Sequence, residues 1–145
     1  MKDHVYLAGP MEDCTKEHMT FWRVTAWQML DTAGVNALDP TRRVSFHDQL
    51  SEHLQDVTKT MNTCKRIFKQ DLHDIASSRV VLADVRRSSG RGTGTSMELM
   101  FAHMKNKIII LWADEGDLIH PFYEAMATEK HYNLEDAVYA VLEYY

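Results

Sequence analysis

Short, mostly apolar segments alternate along this chain with longer segments in which apolar side chains recur every three or four residues. The short segments occupy residues 5–8, 35–38, 79–85 and 107–112, in which the polar residues are Asn36, Arg79, Asp84 and Lys107. A strand that is apolar along its whole length, rather than at every second residue, is typical of a strand buried on both faces. Helical segments between such strands favour a mostly parallel sheet of four or five strands with helices on both sides, a three-layer α/β fold.

The helical segments are bounded by residues that start or stop helices. Asp13 is a candidate N-cap for the first helix, and Gly34 is placed to end it. The next apolar pattern runs from residue 50 to residue 75 and predicts one long amphipathic helix, or two helices with a break. Three more helices are predicted, at residues 96–104, after His120 and Pro121, and at residues 134–142.

Length and composition limit the kind of protein this is. A chain of 145 residues fits a single domain over residues 1–145. The net charge of −5 argues against a nucleic-acid polymer as partner, although a small nucleotide pocket needs no overall charge. No apolar stretch approaches the roughly 20 residues of a membrane span, and no signal peptide is evident, so we expect a cytoplasmic protein. Cys14 and Cys64 fit free thiols there, with a single disulfide left open.

A glycine-rich loop follows the third apolar run, where a parallel sheet binds its ligands. Residues 88–98 read Ser-Ser-Gly-Arg-Gly-Thr-Gly-Thr-Ser-Met-Glu. This order predicts backbone N–H groups and the carboxylate of Glu98 at the start of a helix, a place that suits an oxygen-rich ligand and favours the ionised carboxylate. The loop lacks the lysine of a P-loop, and its glycines do not match the dinucleotide fingerprint. Asp114 leaves a dinucleotide site open, and a plain flexible connection is the alternative.

Several acidic or hydroxyl side chains near these strand ends have both a structural and a chemical interpretation. Glu98 is either a favourable charge in a first helical turn or a nucleophile that attacks an anomeric carbon. Asp71 and Asp74 are either solvated carboxylates or acids that handle a proton on a leaving group. Asp84 either caps the loop or contacts ligand. Tyr6 is either a core residue or a hydroxyl donor to a carboxylate.

Taken in order, the short motifs of this chain resemble those of the nucleoside 2-deoxyribosyltransferase family over nearly the whole length. The matching segments are Tyr6-Leu7-Ala8-Gly9-Pro10-Met11, Phe21-Trp22-Arg23, Asp39-Pro40, Asp71, Val81-Leu82-Ala83-Asp84, Gly94-Thr95-Ser96-Met97-Glu98-Leu99, Lys107-Ile108-Ile109, His120-Pro121-Phe122 and Leu134-Glu135-Asp136-Ala137. The resemblance implies a Rossmann-like or flavodoxin-like sandwich, which agrees with the periodicity.

The resemblance also implies a chemistry. It implies transfer of a 2-deoxyribosyl group between nucleobases through a covalent intermediate on Glu98, with Asp71 protonating or positioning the base and Tyr6 orienting the nucleophile. The turn of Gly9, Pro10 and Met11 would line the base site. It implies no metal and no cofactor. It further implies homo-oligomers whose neighbouring subunits complete each site, with the region of His120 as the contributing segment.

The chain departs from the family pattern in the loop. Gly92 stands where some transferases have an aspartate that contacts the base. Hydrolases of nucleoside 5′-monophosphates in the same superfamily bind phosphate with this loop, so the alternative substrate is a nucleotide. Candidate phosphate contacts are Ser88, Ser89, Arg91 and either Arg42 or Arg43, since an arginine can pair bidentately with phosphate. Asp84, Gly92 and Ser96 are further candidate contacts to the substrate. A non-catalytic nucleotide-binding module remains a further alternative.

Overall fold

The computed structural model describes residues 4–11, 14–41, 57–90 and 92–145, with the side chains of 57–60 left aside. Five strands form one sheet in the order β2-β1-β3-β4-β5, and every neighbouring pair is parallel. The strands are β1 His4–Ala8, β2 Asn36–Leu38, β3 Val80–Asp84, β4 Ile108–Trp112 and β5 Glu129–His131. The all-parallel sheet confirms the predicted α/β architecture.

Helices cover both faces of the sheet. They are α1 Lys16–Thr32, α2 Val57–Ser77, α3 Thr93–Met104, α4 Pro121–Met126 and α5 Leu134–Leu142. The 3₁₀ turn Arg87–Ser89 follows β3. Helices α1 and α5 pack on one face, and α2 and α3 pack on the other. Within the described ranges, no helix combines the length and the apolar character needed to cross a membrane.

The two central strands show why their sequences are continuously apolar. In β1, Val5 and Leu7 enter the core beneath α1 and α5, whereas Tyr6 and Ala8 enter the core beneath α2 and α3. All four side chains are fully buried. Because alternate residues of a strand point to opposite faces, both sets must be apolar when both faces are covered. The same alternation makes Tyr6 face α3 and not α1.

Two predictions at helix starts need correction, and one strand was not predicted. Helix α1 is capped by Thr15, whose hydroxyl accepts from the His18 N–H at 3.1 Å, and the predicted cap Asp13 lies outside the described residues. Helix α3 begins at Thr93 rather than at residue 96. The strand Glu129–His131 was not predicted, because it is short, polar and partly exposed at the sheet edge. The predicted start of α2 near residue 50 also lies outside the described residues.

Candidate active site

The turn after the carboxyl end of β1, together with α2 and α3, surrounds a cavity of about 650 Å³. The turn Gly9-Pro10-Met11 after β1 forms one side of the cavity. Asp71 from α2 and Glu98 from α3 contribute the two carboxylates that line the cavity. The remaining wall is largely apolar and comes from Cys64, Ile67, Phe68, Leu72, Met97 and Phe101.

Tyr6 and Glu98 are joined by a hydrogen bond across 92 positions of sequence. The Tyr6 hydroxyl donates to Oε2 of Glu98. Tyr6 is fully buried, so its ring is fixed in the core and its hydroxyl orients the carboxylate. The structure therefore brings together Tyr6, Asp71 and Glu98, which the sequence placed on three different elements.

The charge state of Glu98 differs from the expectation of a carboxylate held ionised at a helix start. Glu98 is the sixth residue of α3, beyond the first turn, where the helix dipole has little effect. Burial instead raises the pKa of Glu98 from 4.5 to about 7; the hydrogen bond from Tyr6 opposes this rise, and the nearby Asp71 adds to it. Burial and the adjacent Glu98 raise the pKa of Tyr6 well above 10, so Tyr6 stays a neutral donor.

A buried arginine beneath the cavity fixes the turn after β1. The Arg23 guanidinium donates from Nη2 to the Gly9 carbonyl at 2.8 Å, from Nη1 to the Met19 carbonyl at 2.6 Å and from Nε to the Leu7 carbonyl at 3.3 Å. It also lies 3.8 Å from the buried carboxylate of Asp39. Its positive charge lowers the pKa of Glu98. Sequence reasoning included Arg23 in a motif but assigned it no role.

Gly9 is required at this turn for a steric reason. A Cβ on Gly9 would lie 2.8 Å from the Trp22 ring and 3.2 Å from the Arg23 guanidinium. Neither neighbour can move freely, because both are buried. The close approach of the backbone to these two side chains explains the Gly-Pro sequence at the end of β1.

Of the two aspartates near the end of α2, only Asp71 lines the cavity. Asp74 is buried beside the helix, where its carboxylate accepts from Gln70 Nε2 at 3.1 Å and its carbonyl accepts from the Ser78 hydroxyl at 2.8 Å. These contacts give Asp74 a structural role.

A second cavity of about 530 Å³ adjoins the first and shares Pro10 and Thr95 with it. Its polar lining includes Arg86, Arg87 and His120. The second cavity lies over the glycine-rich loop and the segment before α4.

Asp84 lines the second cavity, but its carboxylate is engaged by the loop itself. Arg86 donates to it from Nε at 2.9 Å and from its backbone N–H at 3.1 Å, and the Ser89 hydroxyl donates to it at 2.7 Å. Arg86 also lies over the Trp112 ring, with its Cζ atom 3.5 Å from the ring centroid. These contacts match the loop-capping interpretation of Asp84, and Ser89, which they engage, lines neither cavity.

The other predicted loop contacts surround Tyr123, which sequence reasoning did not identify. The Ser96 hydroxyl lies 2.6 Å from the Tyr123 hydroxyl and donates to the Gly92 carbonyl at 2.7 Å. A Cβ on Gly92 would lie 3.0 Å from the Tyr123 hydroxyl, so the aspartate of some transferases would displace Tyr123.

Two further predicted contacts are exposed, and three predicted arginine contacts lie outside the described residues. His120 lines the second cavity and caps α4, accepting from the Phe122 N–H at 3.1 Å. The Ser88 hydroxyl donates to Asp114 at 3.0 Å. Arg91, Arg42 and Arg43 lie outside the described residues. Within those residues, no group of three or more His, Cys, Asp or Glu side chains is arranged as metal ligands.

Solved structures of three enzymes match this chain in fold. A 2-deoxyribosyltransferase from Bacillus psychrosaccharolyticus matches with a TM-score of 0.71 and 21% identity, covering 93% of this chain and 90% of that one. This protein has the fold of the nucleoside deoxyribosyltransferases. A CMP N-glycosidase from Clostridium botulinum matches with a TM-score of 0.59 and 13% identity, covering 96% and 98% of the two chains. A Leishmania mexicana 2-deoxyribosyltransferase matches with a TM-score of 0.55 and 18% identity, covering 85% and 70%.

The resemblance of the sequence motifs thus extends to the three-dimensional structure. No protein-family model matches the chain, and no curated protein matches its sequence. Because the structural matches are below 25% identity, they establish the fold, and the activity has to be argued from the chemistry of the site.

Proposed function

We propose that this protein cleaves the N-glycosidic bond of a 2′-deoxynucleoside and transfers the deoxyribosyl group to another nucleobase. The observation that carries the proposal is the hydrogen bond between Tyr6 and Glu98 in a cavity that Asp71 also lines. Two carboxylates facing one cavity are the pair of groups with which most enzymes cleave a glycosidic bond. A protein that only binds a nucleotide has no need for this convergence.

The reaction proceeds in two displacements at the anomeric carbon. Glu98 attacks C1′ as the bond from C1′ to the base nitrogen breaks, and the base leaves with a proton that Asp71 delivers or positions. A nitrogen of a second base then attacks C1′ as the bond from C1′ to Glu98 breaks, and its proton passes to Asp71. Both transition states carry positive charge on the sugar, which the Glu98 carboxylate stabilises. No metal or cofactor takes part in this scheme.

The perturbed pKa of Glu98 suits this role. The nucleophile must be ionised, and with a pKa of about 7 about half of the molecules are ready at neutral pH. The neutral Tyr6 hydroxyl donates to one carboxylate oxygen and leaves the other for C1′.

The apolar wall of the first cavity suits a planar base. Phe68 and Phe101 line the cavity together with the turn Gly9-Pro10-Met11, and aromatic rings pack well against a planar base. An apolar wall also limits the access of water to the glycosyl intermediate. Limited access slows hydrolysis of the intermediate and so favours transfer to a second base.

Product analysis tests the proposal directly. The protein is incubated with a 2′-deoxynucleoside and a second free base, and nucleosides and bases are separated by liquid chromatography. We expect an exchanged nucleoside with the wild type and with Glu143→Gln, a matched change at an exposed position after α5 on the opposite face of the sheet. Glu98→Gln should lower turnover by at least about 1,000-fold, since it removes the nucleophile. Retained turnover in Glu98→Gln would exclude this mechanism.

The second cavity favours one alternative, the release of a base from a (deoxy)nucleoside 5′-monophosphate by water. Arg87 and His120 line this cavity beside the start of α3, and such a setting attracts a phosphate. This activity predicts a preference for the 5′-phosphate over the nucleoside, and a loss of that preference in Arg87→Ala and in Arg91→Ala. Equal rates with both substrates would contradict it. Binding in a calorimeter without base release would instead indicate a non-catalytic nucleotide-binding module.

We further propose that the protein is a homo-oligomer with shared active sites. Three methionines of α3, at positions 97, 100 and 104, are exposed on one stripe beside the first cavity, and Met61 and Phe68 of α2 are exposed next to it. A second copy of the protein could pack against these exposed apolar side chains and cover the site. Sedimentation analysis of the wild type against Met100→Lys, which charges the stripe, should show a larger species only for the wild type. A monomeric wild type would contradict this proposal.

Cys14 and Cys64 are not joined in a disulfide, which fits a reducing compartment, and we propose the cytoplasm as the location.

A further inference from the structure

Thr95 carries a buried hydroxyl that has no hydrogen-bond partner among the residues that the structure describes. The residue is 3% exposed, and its Oγ1 atom is unpaired. Threonines in helices ordinarily bond the carbonyl oxygen four residues earlier. Thr20, Thr25 and Thr32 of α1 do so, at 2.6, 3.1 and 2.8 Å. Burial of an unpaired hydroxyl is costly, so a natural sequence that retains one needs a reason.

The location of Thr95 supplies such a reason. It is the third residue of α3 and lines both cavities, a position that it shares with Pro10. The first turn of α3 has no side-chain cap, and a Cβ on Gly94 would meet nothing within 4 Å. Thr95 therefore lies at the uncapped start of α3, at the junction between the two cavities, and rotation about its Cα–Cβ bond is needed to turn the buried hydroxyl toward a ligand there.

Thr95 is also placed relative to the nucleophile. Glu98 follows it by three residues, so the two side chains lie on one face of α3 with Cβ atoms about 5–6 Å apart. A furanose ring with its C5′ group can bridge such a distance. With C1′ at Glu98 and the base against the apolar wall, the C5′ group is the part of the sugar that reaches toward the second cavity.

We propose that Thr95 is a substrate-binding residue whose hydroxyl hydrogen-bonds the 5′ oxygen of the bound nucleoside or nucleotide, an inference that rests on the proposed N-glycosidic function. A hydroxyl both donates and accepts, so it can pair with a free 5′-hydroxyl or with the ester oxygen of a 5′-phosphate. The contact fixes the sugar over Glu98 and satisfies the unpaired atom at the same time. It makes Thr95 a determinant of specificity for the 5′ oxygen, independent of the loop arginines.

Thr95→Val and Thr95→Ser test this assignment. Valine keeps the shape and removes the hydroxyl, whereas serine keeps the hydroxyl. We expect kcat/KM for a 2′-deoxynucleoside to fall about 10-fold in Thr95→Val and to recover in Thr95→Ser, in line with the loss of one buried hydrogen bond. For the 2′,5′-dideoxynucleoside, which lacks the 5′ oxygen, the wild type and Thr95→Val should be equal. The melting temperature of Thr95→Val should be unchanged or higher, because no protein hydrogen bond is lost.

Equal kcat/KM of the wild type and Thr95→Val toward the 2′-deoxynucleoside would overturn the assignment, as would an equal loss toward the 2′,5′-dideoxynucleoside. A fall in melting temperature of several degrees in Thr95→Val would indicate a structural role instead and would also overturn it.

Binding measured by calorimetry in the Glu98→Gln background separates this inference from the proposed function. If the wild type releases no base but Glu98→Gln binds the nucleoside about 10-fold more tightly than the double variant with Thr95→Val, the proposed function fails and the Thr95 contact stands. If the nucleoside and its 5′-phosphate bind neither protein, the Thr95 contact is refuted as well.

Discussion

Replacing Glu98 by glutamine should stabilise this protein at alkaline pH, because the buried carboxylate opposes folding when it is ionised. Burial raises the pKa of Glu98 from 4.5 to about 7, so the folded protein binds this proton more tightly than the unfolded chain does. The stability that protonated Glu98 contributes is therefore complete below pH 4.5 and is lost as the pH rises through about 7. Glutamine is neutral at every pH and still offers an oxygen to the Tyr6 hydroxyl.

The size of the effect follows from the pKa. A rise from 4.5 to about 7 is equivalent to about 3 kcal/mol at 1.36 kcal/mol per pH unit. Glu98 is partly exposed to the cavity, so water screens some of this free energy, and we expect a gain of about 1–3 kcal/mol for Glu98→Gln at pH 8.5. At pH 4, where Glu98 is protonated in both states, the two proteins should have equal free energies of unfolding.

Urea unfolding followed by circular dichroism measures these free energies at pH 4 and pH 8.5. Glu143→Gln serves as the control, since Glu143 is exposed and its replacement should leave stability unchanged at both pH values. The difference between the wild type and Glu98→Gln isolates Glu98 from the other titrating groups. A difference that does not change with pH, or a Glu98→Gln variant that is less stable at pH 8.5, would refute the burial argument.

Three other substitutions test the surroundings of Glu98. Tyr6→Phe removes the hydrogen bond that lowers the pKa of Glu98, so the rise of kcat/KM with pH should move to higher pH, and an unmoved profile would contradict this. Arg23→Met leaves buried carbonyls unpaired and should lower the free energy of unfolding by about 3–5 kcal/mol in urea, whereas a loss under 1 kcal/mol would not fit. Gly9→Ala brings a Cβ to 2.8 Å from the Trp22 ring and should lower the melting temperature by several degrees; unchanged melting would show that the turn can relax.

The fold was predictable because its strands are buried on both faces. Residues 80–83 are all apolar although they alternate between the two faces of the sheet. Such a run can be identified as a buried strand without knowing which elements pack against it. The strand Glu129–His131 was missed for the opposite reason, since it pairs only with β4 and its three side chains are partly exposed. An edge position removes the apolar signal that identifies a strand.

The start of α3 was placed too late because its first residues are poor helix formers. Thr93, Gly94 and Thr95 have the composition of a loop. The helix nevertheless begins there, with the Ser96 N–H bonded to the Gly92 carbonyl at 2.7 Å and Leu99 buried in the core. Tertiary packing therefore outweighed the low helix propensity of these residues. Because the helix begins at Thr93 rather than at residue 96, Glu98 lies in its second turn and not in its first.

The motifs indicated the convergence of Tyr6, Asp71 and Glu98, but not the roles of Arg23 and Thr95. Arg23 binds backbone carbonyls of β1 and of its own helix, and such partners leave no trace in sequence. The distinguishing feature of Thr95 is that its buried hydroxyl has no hydrogen-bond partner, and only a three-dimensional structure shows this. Both residues matter because they are buried polar side chains. The periodic pattern of apolar residues does not indicate which individual polar side chains are buried.

Three departures from ordinary packing lie around the first cavity, and together they support a ligand site there. Burial shifts the pKa of Glu98, Thr95 keeps an unpaired buried hydroxyl, and Phe68 of the predicted apolar face of α2 is exposed beside the cavity rather than packed in the core. A sequence selected for chemistry keeps such unfavourable contacts where a bound substrate relieves them.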